Sequence, residues 1–143
     1  MSFELPIRVY WEDTDAGGIV FYANYLKFME RARTEWLRSL GIQQRKLREE
    51  AGGQFVVSET RLKYHRPARL DDELAVTAEL QQIGQASLTI GQRVLSMPSP
   101  GVLLCEGTIR IGWVDAATLR PARMPHDVSG TLERYRRSTR PQP

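Results

Sequence analysis

The sequence predicts an α+β fold in which an antiparallel sheet of about five strands wraps around one long central helix. Apolar side chains recur at helical spacing in one long stripe, residues 22–40, and alternate with polar ones in one run before the stripe and four runs after it. Consecutive strands that are joined by short turns pair antiparallel. A helix with a single apolar stripe buries it against a neighbouring layer, which here is one face of the sheet.

The first strand and a loop come before the helix. Apolar side chains alternate from Leu5 to Trp11 and would share one face of a strand. Pro6 places the start of that strand at a sheet edge or a bulge. Residues 12–18 follow as a loop, because this stretch ends in two glycines that allow a tight turn or a positive φ.

The long helix is predicted from its apolar stripe and from the glycine that follows it. The stripe consists of Tyr22, Tyr25, Leu26, Met29, Ala32, Trp36, Leu37 and Leu40. Charged and polar residues, Arg33 among them, lie off the stripe. Gly41 ends the helix, and a shorter helix over about 42–51 ends at the next pair of glycines.

Four strands follow the second helix. They are predicted over residues 55–64, 74–80, 87–95 and 103–114. Gly84-Gln85 is typical of a hairpin turn between the second and third of these strands. A terminal helix is predicted from about Met124 through Tyr135, with Pro125 near its first turn, and the chain from Arg136 to Pro143 is expected to fray.

The composition is typical of a single globular domain. The 143 residues are 41% hydrophobic and 26% charged, and we predict one domain over residues 1–130 with a basic tail over 131–143. No run approaches the ~20 apolar residues that span a bilayer, and no secretory signal is visible. We therefore expect a cytoplasmic protein without membrane insertion. Cys105 is the only cysteine, which excludes an internal disulfide and a cysteine-built metal site.

Positive charge is concentrated near the C-terminus. Residues 1–115 hold 14 basic and 15 acidic side chains, whereas residues 116–143 hold six arginines against two acids. The folded body therefore lacks the basic stripe that a nucleic-acid-binding protein needs, and no nucleic-acid partner is expected. We interpret the arginine-rich end as a solvated tail, with docking to a protein or a nucleic acid as the alternative.

Several common catalytic arrangements are missing from the sequence. His65 and His126 are the only histidines, and their separation of 61 residues gives no compact metal motif. There is no Gly-x-Ser-x-Gly elbow and no phosphate-binding glycine-rich loop with a lysine. Cys105 lies in an apolar strand, where we expect a buried and inert thiol.

The acids of the loop before the long helix are the strongest catalytic candidates. Glu12, Asp13 and Asp15 place three carboxylates within four positions. Acids in this place can simply cap the free N–H groups of the helix and complement its dipole. Alternatively, a carboxylate and unpaired backbone N–H groups face one small space. That arrangement suits acyl transfer, because the N–H groups stabilise an oxyanion while the carboxylate attacks a carbonyl or activates water.

This loop and its surroundings resemble a known family. The residues that carry the resemblance are 8–20 (Arg-Val-Tyr-Trp-Glu-Asp-Thr-Asp-Ala-Gly-Gly-Ile-Val), 21–25 (Phe-Tyr-Ala-Asn-Tyr), 30–35 (Glu-Arg-Ala-Arg-Thr-Glu) and 68–72 (Ala-Arg-Leu-Asp-Asp). They closely resemble the 4-hydroxybenzoyl-CoA thioesterase family of hotdog-fold acyl-CoA thioesterases, and within it the Tol-Pal-associated, YbgC-type bacterial branch. The resemblance covers roughly residues 5–130 and favours the catalytic interpretation of the acidic loop.

The resemblance implies a fold, an activity and a set of site residues. It implies a hotdog fold in homodimers or homotetramers with sites at the subunit interface. The implied reaction hydrolyses short to medium or aromatic acyl-CoA to the free acid and CoA, with no cofactor and no metal. The family's catalytic carboxylate falls on Asp15, as nucleophile or general base, and its oxyanion donor falls on the backbone N–H of Tyr22. Gly17 and Gly18 would let the thioester approach closely, and Asp13 would be a helper or a cap.

Other assignments remain alternatives at this point. Arg66 and Arg69 suit CoA phosphates, although a solvated turn explains them equally well. Tyr25 and Trp36 are core residues of the stripe by default, with the acyl pocket as the alternative. The whole protein could instead be a non-catalytic module that binds acyl-CoA or acyl carrier protein. A hydratase or dehydratase fits less well, because no histidine is expected near Asp15.

Overall fold

The architecture is an antiparallel sheet with one long helix packed on it and two further helices. The structure is a computed structural model that describes residues 3–139. In chain order its elements are β1 (Phe3–Arg8), a 3-10 turn (Trp11–Asp13), α1 (Asn24–Ser39), α2 (Gln44–Ala51), β2 (Gly53–Tyr64), β3 (Glu73–Ile83), β4 (Ser87–Ser96), β5 (Leu103–Asp115) and α3 (His126–Thr139). None of the helices within residues 3–139 is long and apolar enough to cross a membrane.

The five strands form one sheet in the order β1-β3-β4-β5-β2. Every neighbouring pair is antiparallel, which confirms the predicted sheet. The amide of Gly84 donates to the carbonyl of Ser87 at 2.7 Å and closes the predicted hairpin between β3 and β4. Strand β2 lies at one edge, and its outer side has no strand partner in the described chain.

Helix α1 packs on one face of the sheet, against β1, β3 and β4, and supplies the centre of the core. Phe28, Met29 and Ala32 are completely buried, in the same apolar cluster as Leu88 and Ile90 of β4. Burying each large apolar side chain contributes about 1.5–3 kcal/mol. Packing of this face, more than intrinsic helix propensity, therefore fixes α1 on the sheet.

The first strand is shorter than the alternating pattern predicts. It ends at Arg8, so Trp11 does not lie on the strand and its side chain is 79% exposed. The cause is local. The amide of Asp13 donates to the carbonyl of Tyr10 at 3.0 Å, and the amide of Tyr10 donates to the Asp13 carboxylate at 2.8 Å. These two hydrogen bonds curl the chain into a turn that the alternating pattern does not reveal.

The buried side of α1 also differs from the predicted stripe. The helix begins at Asn24, so Tyr22 precedes it, and the side chains of both Tyr22 and Leu26 are exposed. Conversely, Phe28 and Arg33, which were not part of the predicted stripe, are buried. The sheet wraps around α1 far enough to cover more of its surface than one narrow stripe.

Helix α3 continues past its predicted end at Tyr135 as far as Thr139. The prediction that the chain frays after Tyr135 is therefore wrong for residues 136–139. Residues 140–143 lie outside the described chain. Leu132 is completely buried, and the ring of Tyr135 packs edge to face on Trp36 with centroids 5.5 Å apart. The boundary that we expected at residue 130 falls inside this packed helix.

Candidate active site

Asp13 anchors the acidic loop to the start of α1. Its side chain is buried, and its Oδ2 atom accepts the amide of Tyr10. Its backbone carbonyl accepts the amide of Phe21 at 3.0 Å and the side-chain amide of Asn24 at 2.9 Å. These contacts hold the two ends of the loop together, so that the residues between them have a fixed position beside the helix.

Asp15 lies on a tight turn within this loop and is exposed. Its Oδ1 atom accepts the amide of Gly17 at 2.8 Å, and its carbonyl accepts the amide of Gly18 at 3.0 Å. Gly18 has a φ of +77°, a conformation that residues with a Cβ avoid. A Cβ on Gly17 would lie 3.2 Å from the Asp15 Oδ1 atom. Both glycines therefore favour the turn that presents this carboxylate.

The loop packs on the segment between β2 and β3. The amide of Val20 donates to the carbonyl of Ala68 at 2.8 Å, and the amide of Leu70 donates to the carbonyl of Gly18 at 3.2 Å. Ile19 and Arg69 form an antiparallel bridge. Two of the four stretches that carry the family resemblance, residues 8–20 and 68–72, therefore form one unit in space.

Backbone N–H groups precede the first turn of α1. The amide of Asn24 donates to the carbonyl of Phe21 at 2.8 Å, and the amide of Leu26 donates to the carbonyl of Ala23 at 3.2 Å. Within residues 3–139 the amide of Tyr22 has no hydrogen-bond acceptor. An N–H group in this position is free to bind an oxygen atom of a ligand.

An apolar cavity of about 300 Å³ opens beside the loop and the helix start. Its lining residues are Ile19, Val20, Tyr22, Tyr25, Tyr64, His65, Arg66 and Pro67. The amide of Asp15 donates to the carbonyl of Ile19 at 2.9 Å, so the Asp15 turn is directly attached to the cavity wall. Tyr22 thus lines the cavity, and the turn that carries the Asp15 carboxylate is bonded to its wall, although Asp15 itself is not a lining residue.

Three tyrosines shape this cavity. The hydroxyl of Tyr25 is buried and accepts the amide of Ala68 at 3.0 Å, and burial raises the pKa of Tyr25. The ring of Tyr64 packs edge to face on Tyr22 and Tyr25, with centroid distances of 6.4 and 5.5 Å. Tyr25 therefore belongs both to the core, as expected by default, and to the cavity wall, whereas Trp36 lies in the core.

The structure brings most of the predicted site residues together. Tyr22, Tyr25 and Arg66 line the cavity, and the turn of Asp15 adjoins it. Arg69 is held beside the loop by its backbone, with its amide donating to the Asp72 carboxylate at 2.9 Å, but it does not line the cavity.

Sequence reasoning missed Tyr64 and His65. Tyr64 is the last residue of β2 and His65 comes directly after it, and no sequence motif marks either position. We expected no histidine near the acidic loop, yet His65 borders the cavity, with its Nε2 atom 2.7 Å from the Glu106 Oε2 atom. The partners of both residues are distant in sequence, so only the folded chain reveals them.

Cys105 is a buried thiol on β5. Burial raises the pKa of the Cys105 thiol to about 11, which keeps it protonated and unreactive at neutral pH. No group of three or more His, Cys, Asp or Glu side chains within residues 3–139 is arranged to hold a metal ion.

Comparisons with known proteins identify the class of protein to which this fold belongs, the thioesterases. The family model of the Thioesterase-like superfamily matches residues 9–132. The chain belongs to this superfamily, which confirms the predicted thioester hydrolase.

Two named relatives and one solved structure are similar to this chain over most of its length. The chain is 39% identical over 131 residues to "Acyl-CoA thioesterase YbgC" of Haemophilus influenzae, covering 92% of this chain and 94% of the relative. It is 40% identical over 126 residues to "Acyl-CoA thioester hydrolase YbgC" of Escherichia coli O157:H7, covering 88% and 92%. A probable thioesterase from Bartonella henselae superposes with a TM-score of 0.79 at 29% identity, covering 87% and 100%. The predicted hotdog fold and the YbgC-type resemblance are confirmed.

Proposed function

We propose that this chain hydrolyses acyl-CoA thioesters to a carboxylic acid and CoA, with Asp15 and the backbone N–H of Tyr22 as its reacting and stabilising groups. One observation carries the proposal. An exposed carboxylate on a Gly-Gly turn and a backbone amide without an acceptor in the described chain lie on the same short loop, beside an apolar cavity. The names of the YbgC relatives support CoA thioesters as the substrate class.

The chemistry follows from these two groups. Attack by an oxygen atom on the thioester carbonyl forms a C–O bond and places negative charge on the carbonyl oxygen. A backbone N–H directed at that oxygen stabilises the charge, and removal of one such donor typically costs about 100- to 1,000-fold in rate. The C–S bond then breaks, and the CoA thiolate leaves and takes up a proton.

Asp15 can take part in the attack in two ways. As a nucleophile it forms a mixed anhydride that water then hydrolyses. As a general base it removes a proton from the water molecule that attacks. A single turnover in ¹⁸O-labelled water tests the routes. Label in the Asp15 side chain supports the anhydride. Label in the product alone is expected both for the general base and for an anhydride that water opens at its acyl carbon, and borohydride reduction of the acyl-enzyme during turnover separates these two cases.

The apolar cavity is the proposed place for the acyl group. Tyr22, Tyr25 and Tyr64 give it an apolar wall, and its volume of about 300 Å³ suits short to medium or aromatic acyl groups. Arg66 on the cavity wall and Arg69 beside the loop are proposed to contact the CoA phosphates, since guanidinium groups bind phosphate well.

We also propose that the chain works as a homodimer or homotetramer in the cytoplasm, with acyl carrier protein as a second acyl donor. The outer edge of β2 carries unpaired backbone groups in the described chain, and Val57 and Tyr64 on this strand are exposed. Such an edge is a natural pairing surface for a second copy. Light scattering coupled to size-exclusion chromatography measures the assembly.

A panel of acyl-CoAs tests the proposed activity. Release of free CoA thiol is measured with acetyl-, hexanoyl-, decanoyl- and benzoyl-CoA, and with the same acyl groups on acyl carrier protein. We expect multiple turnovers on at least one short to medium or aromatic acyl group. Tight binding of acyl-CoA with no thiol released would instead identify a non-catalytic binding module.

A further inference from the structure

Two exposed aromatic side chains lie directly before the acidic loop. Tyr10 and Trp11 are 62% and 79% exposed, and neither belongs to the apolar core cluster. The fold therefore gains little from burying these large rings. Neighbouring aromatic side chains that are left in water are typical of a surface that binds a ligand or a partner.

The turn that carries Trp11 has a fixed backbone. The amide and the hydroxyl of Thr14 both donate to the carbonyl of Trp11, at 3.2 and 3.0 Å. Together with the two hydrogen bonds between Tyr10 and Asp13, they hold the turn on both sides of the ring. A ligand that stacks on Trp11 therefore does not have to order this segment of the chain, which favours binding.

The two rings line a cavity of about 440 Å³. Its lining residues are Arg8, Tyr10, Trp11, Glu12, Leu70 and Asp71. None of them lies on β2, the edge strand proposed for pairing with a second copy, because this cavity adjoins β1 at the opposite edge of the sheet. A cavity of about 150 Å³ already admits benzene, so this one has room for a purine ring and its ribose.

The charges on the cavity wall favour a flat, neutral ring with amino donors over an anion. Arg8 is engaged within the chain, since its Nη1 atom donates to the carbonyl of Asp71 at 2.8 Å and its Nη2 atom to the Glu73 Oε2 atom at 3.4 Å. The side chains of Glu12 and Asp71 are exposed and form no ion pair within residues 3–139. Carboxylates repel a phosphate but accept the N–H groups of an exocyclic amine.

A short segment joins this cavity to the acyl cavity. Pro67 lines the acyl cavity and Leu70 lines this one, and three residues span at most about 11 Å. Arg69, which is proposed to contact the CoA phosphates, lies between them in the chain. The pantetheine and diphosphate arm of CoA is longer than this separation when extended. One CoA molecule can therefore reach from the acyl cavity, past Arg69, into the second cavity.

We propose that this second cavity binds an adenine base, with the ring stacked on Trp11 and its exocyclic amino group donating to the Asp71 carboxylate. Its place beside Arg69 favours the adenine of the CoA substrate, an assignment that rests on the proposed function. A free adenine nucleotide that regulates the enzyme carries the same base and is the second source. An acyl-pantetheine, which lacks the nucleotide, would not use this cavity.

Binding measurements test the site without any turnover. CoA and AMP are titrated into the full chain by calorimetry, with pantetheine and IMP as controls that lack the adenine base. We expect CoA and AMP to bind more tightly than their controls, and Trp11→Ala to weaken both by at least about fivefold, the effect of losing one stacked base. Leu119→Ala, which removes an exposed apolar side chain outside the cavity, should bind as the wild type does.

Asp71→Asn tests the contact to the amino group. Asp71 has a φ of +71°, a conformation that Asn adopts as readily as Asp, so the turn should be kept. The carboxamide can donate to the carbonyl oxygen of IMP, whereas the carboxylate only accepts. We therefore expect the preference for AMP over IMP to disappear in this variant, and a preference equal to that of the wild type would contradict the contact.

Tryptophan fluorescence locates the base. Trp36 and Trp113 are buried, whereas Trp11 is exposed, so a stacked adenine should quench chiefly the emission of Trp11. Excitation where adenine does not absorb avoids a direct loss of light. Quenching by CoA that disappears in Trp11→Phe, while part of the affinity remains on the smaller ring, places the base on this side chain. A purely structural role of Trp11 would not give this result.

A kinetic arm separates the two sources of adenine. We expect Trp11→Ala to lower kcat/KM for hexanoyl-CoA by at least about fivefold, mainly through KM, and to leave hexanoyl-pantetheine unaffected. That result identifies CoA as the source. Unchanged kinetics on hexanoyl-CoA together with lost AMP binding identifies a free nucleotide. A wild type that hydrolyses neither thioester would count against the proposed function and leave the binding arm intact.

Three results would overturn the adenine site. The first is a wild type that binds neither CoA nor AMP more tightly than the matching control. The second is equal binding by wild type and Trp11→Ala, with both chains folded by their melting curves. The third is an equal fall of kcat/KM for hexanoyl-CoA and hexanoyl-pantetheine in Trp11→Ala, because the ring would then act through the acidic loop and not on the nucleotide.

Discussion

The phenolic hydroxyl of Tyr64 donates a hydrogen bond of 3.0 Å to the backbone carbonyl of Tyr22. The two rings also meet edge to face. This contact joins the end of β2 to the peptide ahead of α1, between residues that are 42 positions apart. Because the proposed oxyanion donor is the amide of the same residue, Tyr64 is in a position to fix its orientation.

We predict that Tyr64→Phe lowers kcat by about two- to tenfold, the effect of losing one neutral hydrogen bond. The ring and its packing remain, so the change should be smaller in KM than in kcat. Steady-state kinetics on the best acyl-CoA measures both. Tyr135→Phe is the matched control, since its hydroxyl has no hydrogen-bond partner within residues 3–139. Equal kinetics in the two variants would contradict a positioning role for Tyr64.

Asp15→Asn should reduce turnover by about 100- to 10,000-fold with the fold retained, and by more if the carboxylate is the nucleophile. Asn keeps the shape of the side chain and can still accept the Gly17 amide, so stability should change little. Thiol release and thermal melting are measured together. Glu4→Gln, at an exposed acid of β1, should keep wild-type turnover. An Asn variant as fast as the wild type would remove Asp15 from the mechanism.

Gly18→Ala should lose both stability and activity, whereas Gly41→Ala should lose stability alone. Both glycines have a positive φ, +77° and +83°, and an added Cβ would meet no atom within 4 Å at either position. The backbone penalty is therefore the same, about 1 kcal/mol. Only Gly18 shapes the turn of Asp15. Chemical denaturation and kcat/KM of both variants provide the comparison, and equal activity losses would contradict the role of the turn.

The features that were predictable from sequence are those encoded by neighbours along the chain. The stripe that contains Met29, Ala32 and Trp36 repeats at the helical period, and its burial placed α1 on the sheet as predicted. The acidic loop was found because its residues are contiguous. Trp11 was misplaced because two hydrogen bonds between Tyr10 and Asp13 override an alternating pattern that otherwise favours a strand.

The features that were not predictable depend on pairs that are distant in sequence. Tyr64 is hydrogen-bonded to the carbonyl of Tyr22, and the ring of His65 lies against the carboxylate of Glu106. In the sequence, Arg33 lies among charged residues off the apolar stripe, a position that is typical of a solvated side chain. Its burial depends on Gln92, which is 59 positions away. A period of 3.6 residues describes which side of a helix is apolar, but it does not describe how far a curved sheet reaches around that helix.

Acid should destabilise the fold partly through Asp115. Its Oδ1 atom accepts the amides of Thr118 and Ala117, both at 2.9 Å, and these hydrogen bonds lower the pKa of Asp115. A lowered pKa in the folded state gives a stabilisation that is complete above the unfolded pKa and disappears as the pH falls through the folded pKa. We predict that Asp115→Asn flattens the loss of stability below pH ~4. Melting temperatures between pH 3 and 7 measure the effect, and Glu79→Gln, an exposed strand residue, should leave the slope unchanged.

The Arg33–Gln92 pair should show strong coupling in a double-mutant cycle. Gln92→Leu leaves the guanidinium of Arg33 buried without its acceptor and removes the donor to the carbonyls of Met29 and Thr77. We expect it to reduce the free energy of unfolding by about 2–4 kcal/mol. Arg33→Met should cost less, because it removes a desolvated charge while keeping an apolar chain of similar length.

In the double variant no buried charge is left unpaired, so its loss of stability should be smaller than the sum of the two single losses by about 1–3 kcal/mol. Urea denaturation at neutral pH gives all four free energies. Arg31→Met combined with Gln92→Leu is the control pair, and its effects should add to within about 0.5 kcal/mol, since the exposed Arg31 shares no hydrogen bond with Gln92 in the described chain. Additive losses in the Arg33–Gln92 cycle would show that the Gln92 amide does not stabilise the buried charge of Arg33.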